Sequence, residues 1–113
     1  MKEFMLLLSG EILDDPAVSL EERQEAMRQY LEWMLDLRER GIVKSGQPLG
    51  NQGRVVRNER GLITDGPFAE TKEAVGGYFI VSANTLEDAV EIARSCPHVV
   101  MGGTIEVRPL QEI

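Results

Sequence analysis

The chain contains only one cysteine, one histidine and no long hydrophobic run among its 113 residues. A single cysteine excludes an internal disulfide, and one cysteine with one histidine cannot supply the four ligands of a structural zinc site. We therefore expect no bound metal, and a reducing compartment, the cytoplasm. The first apolar run, Phe4 to Leu8, is far shorter than the roughly 7–15 residues of a signal peptide or the about 20 of a membrane span. It is typical of a strand, so we expect no membrane association.

Basic residues are also scarce, since 12 lysines and arginines face 19 acidic residues and the net charge is −7. An acidic surface repels phosphate backbones, which argues against a nucleic-acid partner. The glycines between Gly46 and Gly53 are not followed by the Lys-Ser/Thr pair of a phosphate-binding loop, and no other cofactor motif is visible. With 42% hydrophobic and 27% charged residues, the sequence indicates one folded domain over residues 1–113 and no cofactor.

Two capping patterns predict the helices. Ser19 to Glu22 is a capping box, and a helix is expected from there to about Arg40, with Gly41 as a left-handed end. A second capping box, Thr85 to Asp88, opens another helix that ends at Cys96-Pro97. The first helix carries apolar residues at i, i+3, i+4 and i+7 spacing, which indicates its core stripe: Met27, Tyr30, Leu31, Met34 and Leu37, widened by Ala26 and Trp33.

The strand signals are short and separated by turn residues. We expect Ile42 to Ser45 and Arg54 to Arg57 to form a hairpin across the glycine-rich turn, which Leu62 to Thr64 continues after a second turn at Arg60-Gly61. The order of elements predicts a ferredoxin-like βαββαβ plan of the α+β class, with both helices on one face of an antiparallel sheet. The five strands with the clearest signals are Phe4 to Leu8, Ile42 to Ser45, Arg54 to Arg57, Tyr78 to Ala83 and Ile105 to Arg108.

Two of these strands are apolar on both faces. In Phe4 to Leu8 and in Tyr78 to Val81 the odd and even positions are both hydrophobic, although two helices can cover only one face of the sheet. The second face needs another cover, and no third helix is predicted. A second copy of the chain would provide it, so we expect a homodimer.

The segment Asp65-Gly66-Pro67-Phe68-Ala69-Glu70-Thr71-Lys72-Glu73 carries a family resemblance. Together with Gly76-Gly77-Tyr78 and the ending Ile105 to Pro109, it resembles the DGPF branch of the YCII-related proteins. The resemblance implies a dimeric α+β barrel, and an association of many relatives with extracytoplasmic-function sigma factors. The wider group resembles small enzymes that act on ring-type molecules with a His-Asp pair in a cleft. Here the first helix, Glu21 to Arg40, contains no histidine.

The Asp65 segment has a structural and a functional interpretation. Asp65-Gly66-Pro67 has turn chemistry, so Asp65 could cap a short helical turn while Phe68 anchors the loop to the core. Alternatively the loop covers a cleft, with Asp65 or Glu70 as an acid/base and Lys72 orienting an anionic group. A partner-binding surface is a third interpretation. Asp65 is the strongest catalytic candidate, because desolvation beside an apolar anchor would raise its pKa.

Three further residues attract attention. His98, the only histidine, is a candidate general base, but the sequence favours contact with the C-terminal end of the second helix or an exposed position over a catalytic role. Cys96 is interpreted as a small buried hydrophobe rather than a nucleophile. Glu106 and Arg108 alternate with apolar residues, so they share one face of the last strand. They lie at the barrel mouth or dimer seam if that face turns towards the partner sheet, and otherwise on a solvated edge.

Three functional hypotheses follow from these residues. The first is a metal-independent small-molecule enzyme or ligand-binding dimer that uses the Asp65 loop, with a cleft shared by Glu106 and Arg108. The second is a non-enzymatic regulatory or interaction module associated with sigma-factor signalling. The third is a structural dimer with a vestigial pocket.

Overall fold

The structure is a computed structural model that describes residues 1–10, 16–50, 52–67 and 75–112. Within these ranges the chain forms strands and helices in the order of the predicted plan, with one additional strand and a third, short helix. The elements are β1 (Lys2–Ser9), α1 (Leu20–Glu39), β2 (Val43–Pro48), β3 (Arg54–Glu59), β4 (Leu62–Pro67), β5 (Val75–Ala83), α2 (Leu86–Arg94), α3 (Pro97–Val100) and β6 (Thr104–Pro109). None of the helices in this described part is long and apolar enough to cross a membrane.

Four strands form one antiparallel sheet in the order β2-β5-β1-β6. The strand β5 lies between β1 and β2, which is the split βαβ arrangement of the ferredoxin-like fold. The helices α1 and α2 pack on one face of this sheet. The predicted fold class, α+β with a ferredoxin-like antiparallel sheet, is confirmed.

Local sequence signals fix both long helices. The Ser19 hydroxyl accepts a hydrogen bond from the amide of Glu22 at 3.1 Å, and the Thr85 hydroxyl accepts one from Asp88 at 3.1 Å. Each bond satisfies one amide that the first turn of a helix leaves unpaired. Gly41 follows α1 with a φ of 76°, the left-handed conformation expected there.

The core lies between the helices and the sheet. Phe4, Leu6 and Leu8 alternate along β1 and point towards the helices, where all three are buried. The neighbouring strands and helices contribute the rest of this buried cluster: Leu37, Val43, Val81, Ala83, Ala89, Ala93 and Cys96. The interpretation of Cys96 as a buried hydrophobe is confirmed, because its side chain is fully enclosed.

The expected hairpin between Ile42 to Ser45 and Arg54 to Arg57 is wrong. The strand β2 pairs with β5, whereas β3 pairs with β4 in a separate two-stranded hairpin. The turn at Arg60-Gly61 explains the difference. Both residues have positive φ, 54° and 84°, as a two-residue type I′ turn requires. A two-residue turn closes at lower entropic cost than the glycine-rich loop.

The same pairing corrects the expectation of a turn at Asp65-Gly66-Pro67. These residues belong to β4, and Asp65 lies opposite Val56 in the ladder. The backbone bonds that the turn would have supplied are made instead by the partner strand.

The molecule is two layers thick. Its extents are 47 × 43 × 19 Å, and 19 Å accommodates one sheet with one layer of helices but no third layer. In the described ranges no element covers the face of the sheet away from the helices, which we call the open face. By register it carries the side chains of Met5 and Leu7 from β1, and those of Tyr78 and Ile80 from β5.

Candidate functional site

A cleft of about 400 Å³ lies between α1 and the β2–β5 edge of the sheet. Its volume falls within the range of sites that bind small molecules. The residues that line it come from α1, the two strands, the end of β1 and α3, and none of them carries a formal charge when His98 is neutral. They are Leu8, Gly10, Met27, Tyr30, Leu31, Met34, Gly46, Gln47, Pro48, Leu49, Gly76, Gly77, Tyr78, Phe79 and His98.

The cleft accounts for an unexpected exposure on α1. Met27 and Leu31 belong to the predicted core stripe, yet they are 51% and 52% exposed, while Ala26 and Leu37 are buried. The helix is thus rotated so that Met27 and Leu31 border the open cleft instead of filling the core. Exposed apolar side chains around a concavity are characteristic of a binding surface.

One hydrogen-bonded chain lies in this cleft. The Tyr30 hydroxyl is 2.7 Å from His98 Nδ1, and His98 Nε2 is 2.7 Å from the carbonyl oxygen of Ser9. A carbonyl can only accept a hydrogen bond, so Nε2 carries a proton. In the neutral imidazole Nδ1 is then an acceptor, and the Tyr30 hydroxyl donates to it.

The fold holds His98 in place from several sides. His98 lies in α3 and is only 6% exposed, which corrects the expectation of an exposed residue or one bound to the end of α2. The amide of Gly103 donates to the His98 carbonyl at 2.8 Å. A Cβ atom on Gly103 would lie closer than 3.0 Å to three atoms of the imidazole. The absence of a side chain at Gly103 therefore makes room for the ring.

Gly103→Ala is expected to displace the His98 ring and to lower the free energy of unfolding by about 1–3 kcal/mol, because overpacking forces the ring off its hydrogen bonds. Urea denaturation measures this change. Gly50→Ala is the matched control, since its Cβ would meet nothing within 4 Å. Equal stability of the two variants would show that the ring is not confined as described.

Burial changes the acidity of two groups beside this chain. Burial, with a smaller contribution from nearby Cys96, raises the pKa of Tyr30, so tyrosinate does not form near neutral pH. Burial also raises the pKa of the Cys96 thiol to about 11, despite an opposing hydrogen bond from the backbone of His98. Cys96 is therefore protonated and unsuited to nucleophilic attack.

The raised pKa of Cys96 makes the folded protein less stable at alkaline pH. The pKa of Cys96 rises on folding from 9.0 to about 11, so the stabilisation is complete below pH 9 and is lost as pH rises towards 11. The expected loss from Cys96 is about 2–3 kcal/mol. Denaturation curves at pH 8 and above pH 10, in a reducing buffer, measure it. Cys96→Ala should show a smaller alkaline loss, and an identical loss would contradict the assignment.

An aromatic platform forms another wall of the cleft. The Phe79 ring lies 5.1 Å from the Trp33 ring at 69°, an edge-to-face contact. A Cβ on Gly46 would lie closer than 3.0 Å to Phe79 and 2.9 Å from the carbonyl oxygen of Tyr78, so glycine allows this approach. Trp33 also donates to the Ser95 hydroxyl at 2.9 Å. The chain's only tryptophan thus contacts a residue that lines the cleft.

The predicted site residues do not converge. Asp65 lies on the β3–β4 hairpin, half exposed and paired with Arg54 at 3.2 Å. Glu106 and Arg108 lie on the open face of the sheet, 3.7 Å apart and mostly exposed. Their shared face is as expected, but it is not the face with the cleft. Among the predicted residues that the structure describes, only His98 lines the cleft. Phe68, Glu70 and Lys72 lie outside the described residues.

Tyr30 was missed as a site residue. Its position on the apolar stripe of α1 indicated a core residue, and its hydroxyl was the one signal that it needs a polar partner. In the described ranges no three His, Cys, Asp or Glu side chains gather as a metal site. The polar side-chain chemistry at the His98 end of the cleft therefore comes from Tyr30 and His98.

Fold and site define a small α+β protein with an uncharged cleft between its first helix and its sheet. The chain belongs to the YCII-related family: the model of the YCII-related domain matches residues 10–113. An uncharacterized protein of Rhizobium meliloti (strain 1021) is 34% identical over 105 residues, which cover 83% of this chain and 80% of that protein. The family predicted from the sequence is confirmed, and its DGPF branch stays a prediction.

Two solved structures are similar over nearly the whole chain. One is 5-chloro-2-hydroxyhydroquinone dehydrochlorinase (TftG) from Burkholderia phenoliruptrix AC1100, in complex with 2,5-dihydroxybenzoquinone. It has a TM-score of 0.58 and 16% identity, and the match covers 98% of this chain and 95% of that one. The other, a protein from Arabidopsis thaliana, has a TM-score of 0.41 and 15% identity, with 100% and 96% covered. The first match supports a shared fold, and the second is too weak to support a conclusion.

Proposed function

We propose that the protein binds a small, uncharged, hydroxylated ring compound in the cleft and transfers a proton from it through Tyr30 and His98. The observation that carries the proposal is the hydrogen-bonded chain from Tyr30 through His98 to Ser9 inside a mainly apolar cleft. A hydrogen-bonded acid/base pair at the wall of a mainly apolar cleft is an arrangement suited to general acid–base catalysis.

The proton transfer conserves every atom and charge. A ligand hydroxyl donates to the Tyr30 oxygen, its O–H bond breaks, and a new O–H bond forms on Tyr30. The original Tyr30 proton moves to His98 Nδ1, which leaves an imidazolium whose Nε2–H still donates to Ser9. Because burial raises the pKa of Tyr30, the tyrosine passes the proton on without remaining ionised. The imidazolium then returns a proton through Tyr30 to the ligand anion, at the original oxygen or at another atom, and this restores the neutral imidazole and the Tyr30–His98 hydrogen bond.

The side chains that line the cleft favour one class of ligand. Met27, Met34 and Phe79 offer two thioethers and a ring face, and sulfur–aromatic and ring–ring contacts favour an aromatic or quinone-like ring. The uncharged lining disfavours a ligand that arrives fully ionised. The 2,5-dihydroxybenzoquinone bound by the dehydrochlorinase is a hydroxylated ring, which supports the ring class of the ligand, but not its charge, by analogy of fold.

A chromogenic phenol tests the proposal. The ionised form of 4-nitrophenol absorbs visible light, so the absorbance reports proton transfer while Trp33 fluorescence reports binding. We expect saturable quenching of Trp33 and an increased ionised fraction of the bound phenol at near-neutral pH. Screening hydroquinone, catechol and 2,5-dihydroxybenzoquinone by thermal stabilisation extends the test to the ring class. Absence of saturable binding by every one of these rings would overturn the proposal.

We also propose that the protein acts as a homodimer whose two sheets pack through their open faces. Met5, Leu7, Tyr78 and Ile80 form an apolar patch on a face that no element in the described ranges covers. Such a patch is a common protein interaction surface, and a second copy presents the same patch under twofold symmetry.

Sedimentation tests the dimer. We expect twice the chain mass of 12.6 kDa at micromolar concentration. Ile80→Arg should weaken the dimer by at least about tenfold, because it buries an unpaired charge. Leu20→Arg, on the exposed first turn of α1, is the control. A wild-type monomer under these conditions would refute the pairing.

Other predictions have less support. The roles expected for Asp65, Glu106 and Arg108 stay predictions, and the proton transfer does not use them. A sigma-factor partner is favoured by no contact or charge pattern in the described ranges. The single buried thiol suits a reducing compartment, so a cytoplasmic location is part of the proposal.

A further inference from the structure

The β3–β4 hairpin stands apart from the rest of the molecule. Within the described ranges it packs substantially only against itself, and the radius of gyration of 15.9 Å exceeds the about 13 Å of a compact domain of this size. A two-stranded hairpin is only marginally stable in water unless another surface covers it. The hairpin therefore needs a covering surface, and no element in the described ranges supplies one.

One face of the hairpin is suited to cover an apolar opening. By register, Val56 and Ile63 are diagonal neighbours on the face that also carries the Arg54–Asp65 ion pair. They are 67% and 71% exposed, which is unusual for two large apolar side chains side by side. The opposite face carries Leu62 with Glu59.

The cleft presents the matching surface. Met27 and Leu31 lie one helical turn apart on α1, line the cleft and are half exposed. Two apolar surfaces, the mouth of the cleft and one face of the hairpin, are thus uncovered in the same chain.

Both connections of the hairpin start at the cleft. Pro48 and Leu49 before the hairpin line the cleft, and so do Gly76 and Gly77 after it. The Leu49 amide donates to the Gly76 carbonyl at 2.9 Å, so the two connections lie side by side at the edge of the cleft. Each strand of the hairpin has six residues and is therefore about 20 Å long.

We propose that the β3–β4 hairpin is a lid that closes over the mouth of its own chain's cleft, with Val56 and Ile63 against Met27 and Leu31. Closure excludes water from Tyr30 and His98, which strengthens the hydrogen bonds that transfer the proton. The lid's retention of a ligand rests on the proposed function, but its closure does not.

Cysteine cross-linking tests closure without any ligand. We expect Ile63→Cys with Leu31→Cys to form a disulfide within one chain about tenfold faster than Leu62→Cys with Leu31→Cys, because the opposite hairpin face cannot reach disulfide geometry. Val56→Cys with Met27→Cys is the second pair, in case the first variant does not fold. The buried Cys96 stays in place, and peptide mapping identifies the linked residues.

Each outcome decides the proposal. A fast intrachain disulfide in either Val56 or Ile63 pair supports the lid. Equal rates for the two faces overturn it, and so does a disulfide only between chains, which assigns the hairpin to a second copy. Failure of 4-nitrophenol to bind would overturn the proposed function while the cross-linking result stands by itself.

Discussion

His98→Ala is expected to lower the free energy of unfolding by about 3–5 kcal/mol, a large share of the stability of a small domain. The substitution removes two part-buried hydrogen bonds and leaves the Tyr30 hydroxyl and the Ser9 carbonyl without their His98 partner. It also opens a cavity where a ring only 6% exposed had packed. Urea denaturation with tryptophan fluorescence as the signal measures the loss.

A control substitution separates the stability contribution of the Tyr30–His98 pair from the general cost of losing a contact to α1. Ser95→Ala removes the hydroxyl that accepts a hydrogen bond from Trp33, which is another contact to α1. Ser95 is exposed and does not line the cleft. We expect a loss of about 1 kcal/mol or less there. A double-mutant cycle of Tyr30→Phe with His98→Ala should give a coupling of about 0.5–3 kcal/mol. A cost below 1 kcal/mol for His98→Ala, with no coupling, would mean that the pair is not formed.

Tyr30→Phe is expected to abolish the ionisation of bound 4-nitrophenol and to weaken its binding by about tenfold, the effect of one lost hydrogen bond. The ring remains, so the shape of the cleft is kept while the proton path to His98 is cut. For any substrate that needs this proton transfer, turnover should fall by about 10²–10⁴-fold. Absorbance titration and stopped-flow measurement give the two effects separately.

The chain contains its own control for this substitution. Tyr78, the only other tyrosine, borders the cleft, but by register its side chain lies on the open face of the sheet, away from His98. Tyr78→Phe makes the same chemical change outside the proton path and should leave ionisation of the probe intact. Equal loss of ionisation in both variants would place the proton transfer elsewhere.

Much of the fold could be predicted from local patterns. The side chains of Ser19 and Thr85 cap the two long helices, and Gly41 ends the first of them, because these interactions involve only three or four neighbouring residues. The apolar run Phe4 to Leu8 predicted β1, but both faces of the run are apolar, so only the structure shows which face meets the helices. The expected pairing of β2 with β3 was wrong because the glycine-rich loop and the Arg60-Gly61 turn compete, and sequence patterns do not rank them.

Less of the candidate site could be predicted from the sequence. Tyr30 and His98 are 68 positions apart, and only the packing of α3 against α1 brings them together. Asp65 was predicted as a site residue because it precedes Gly66-Pro67 in a pattern typical of turns. In the structure it lies on the exposed β3–β4 hairpin and pairs with Arg54. The motif identified the family, whereas the polar contacts within the cleft depend on tertiary packing.

The hydrogen-bonded chain is tested most directly by nitrogen NMR of the imidazole, because His98 is the only histidine and gives a single set of signals. In the free protein we expect a ring protonated at Nε2, with Nδ1 accepting a hydrogen bond from the Tyr30 hydroxyl. Saturation with 4-nitrophenol should convert it to a ring protonated at both nitrogens, and Tyr30→Phe should prevent that conversion. A free ring protonated only at Nδ1, or one that the bound phenol leaves unchanged, would contradict proton transfer through this pair.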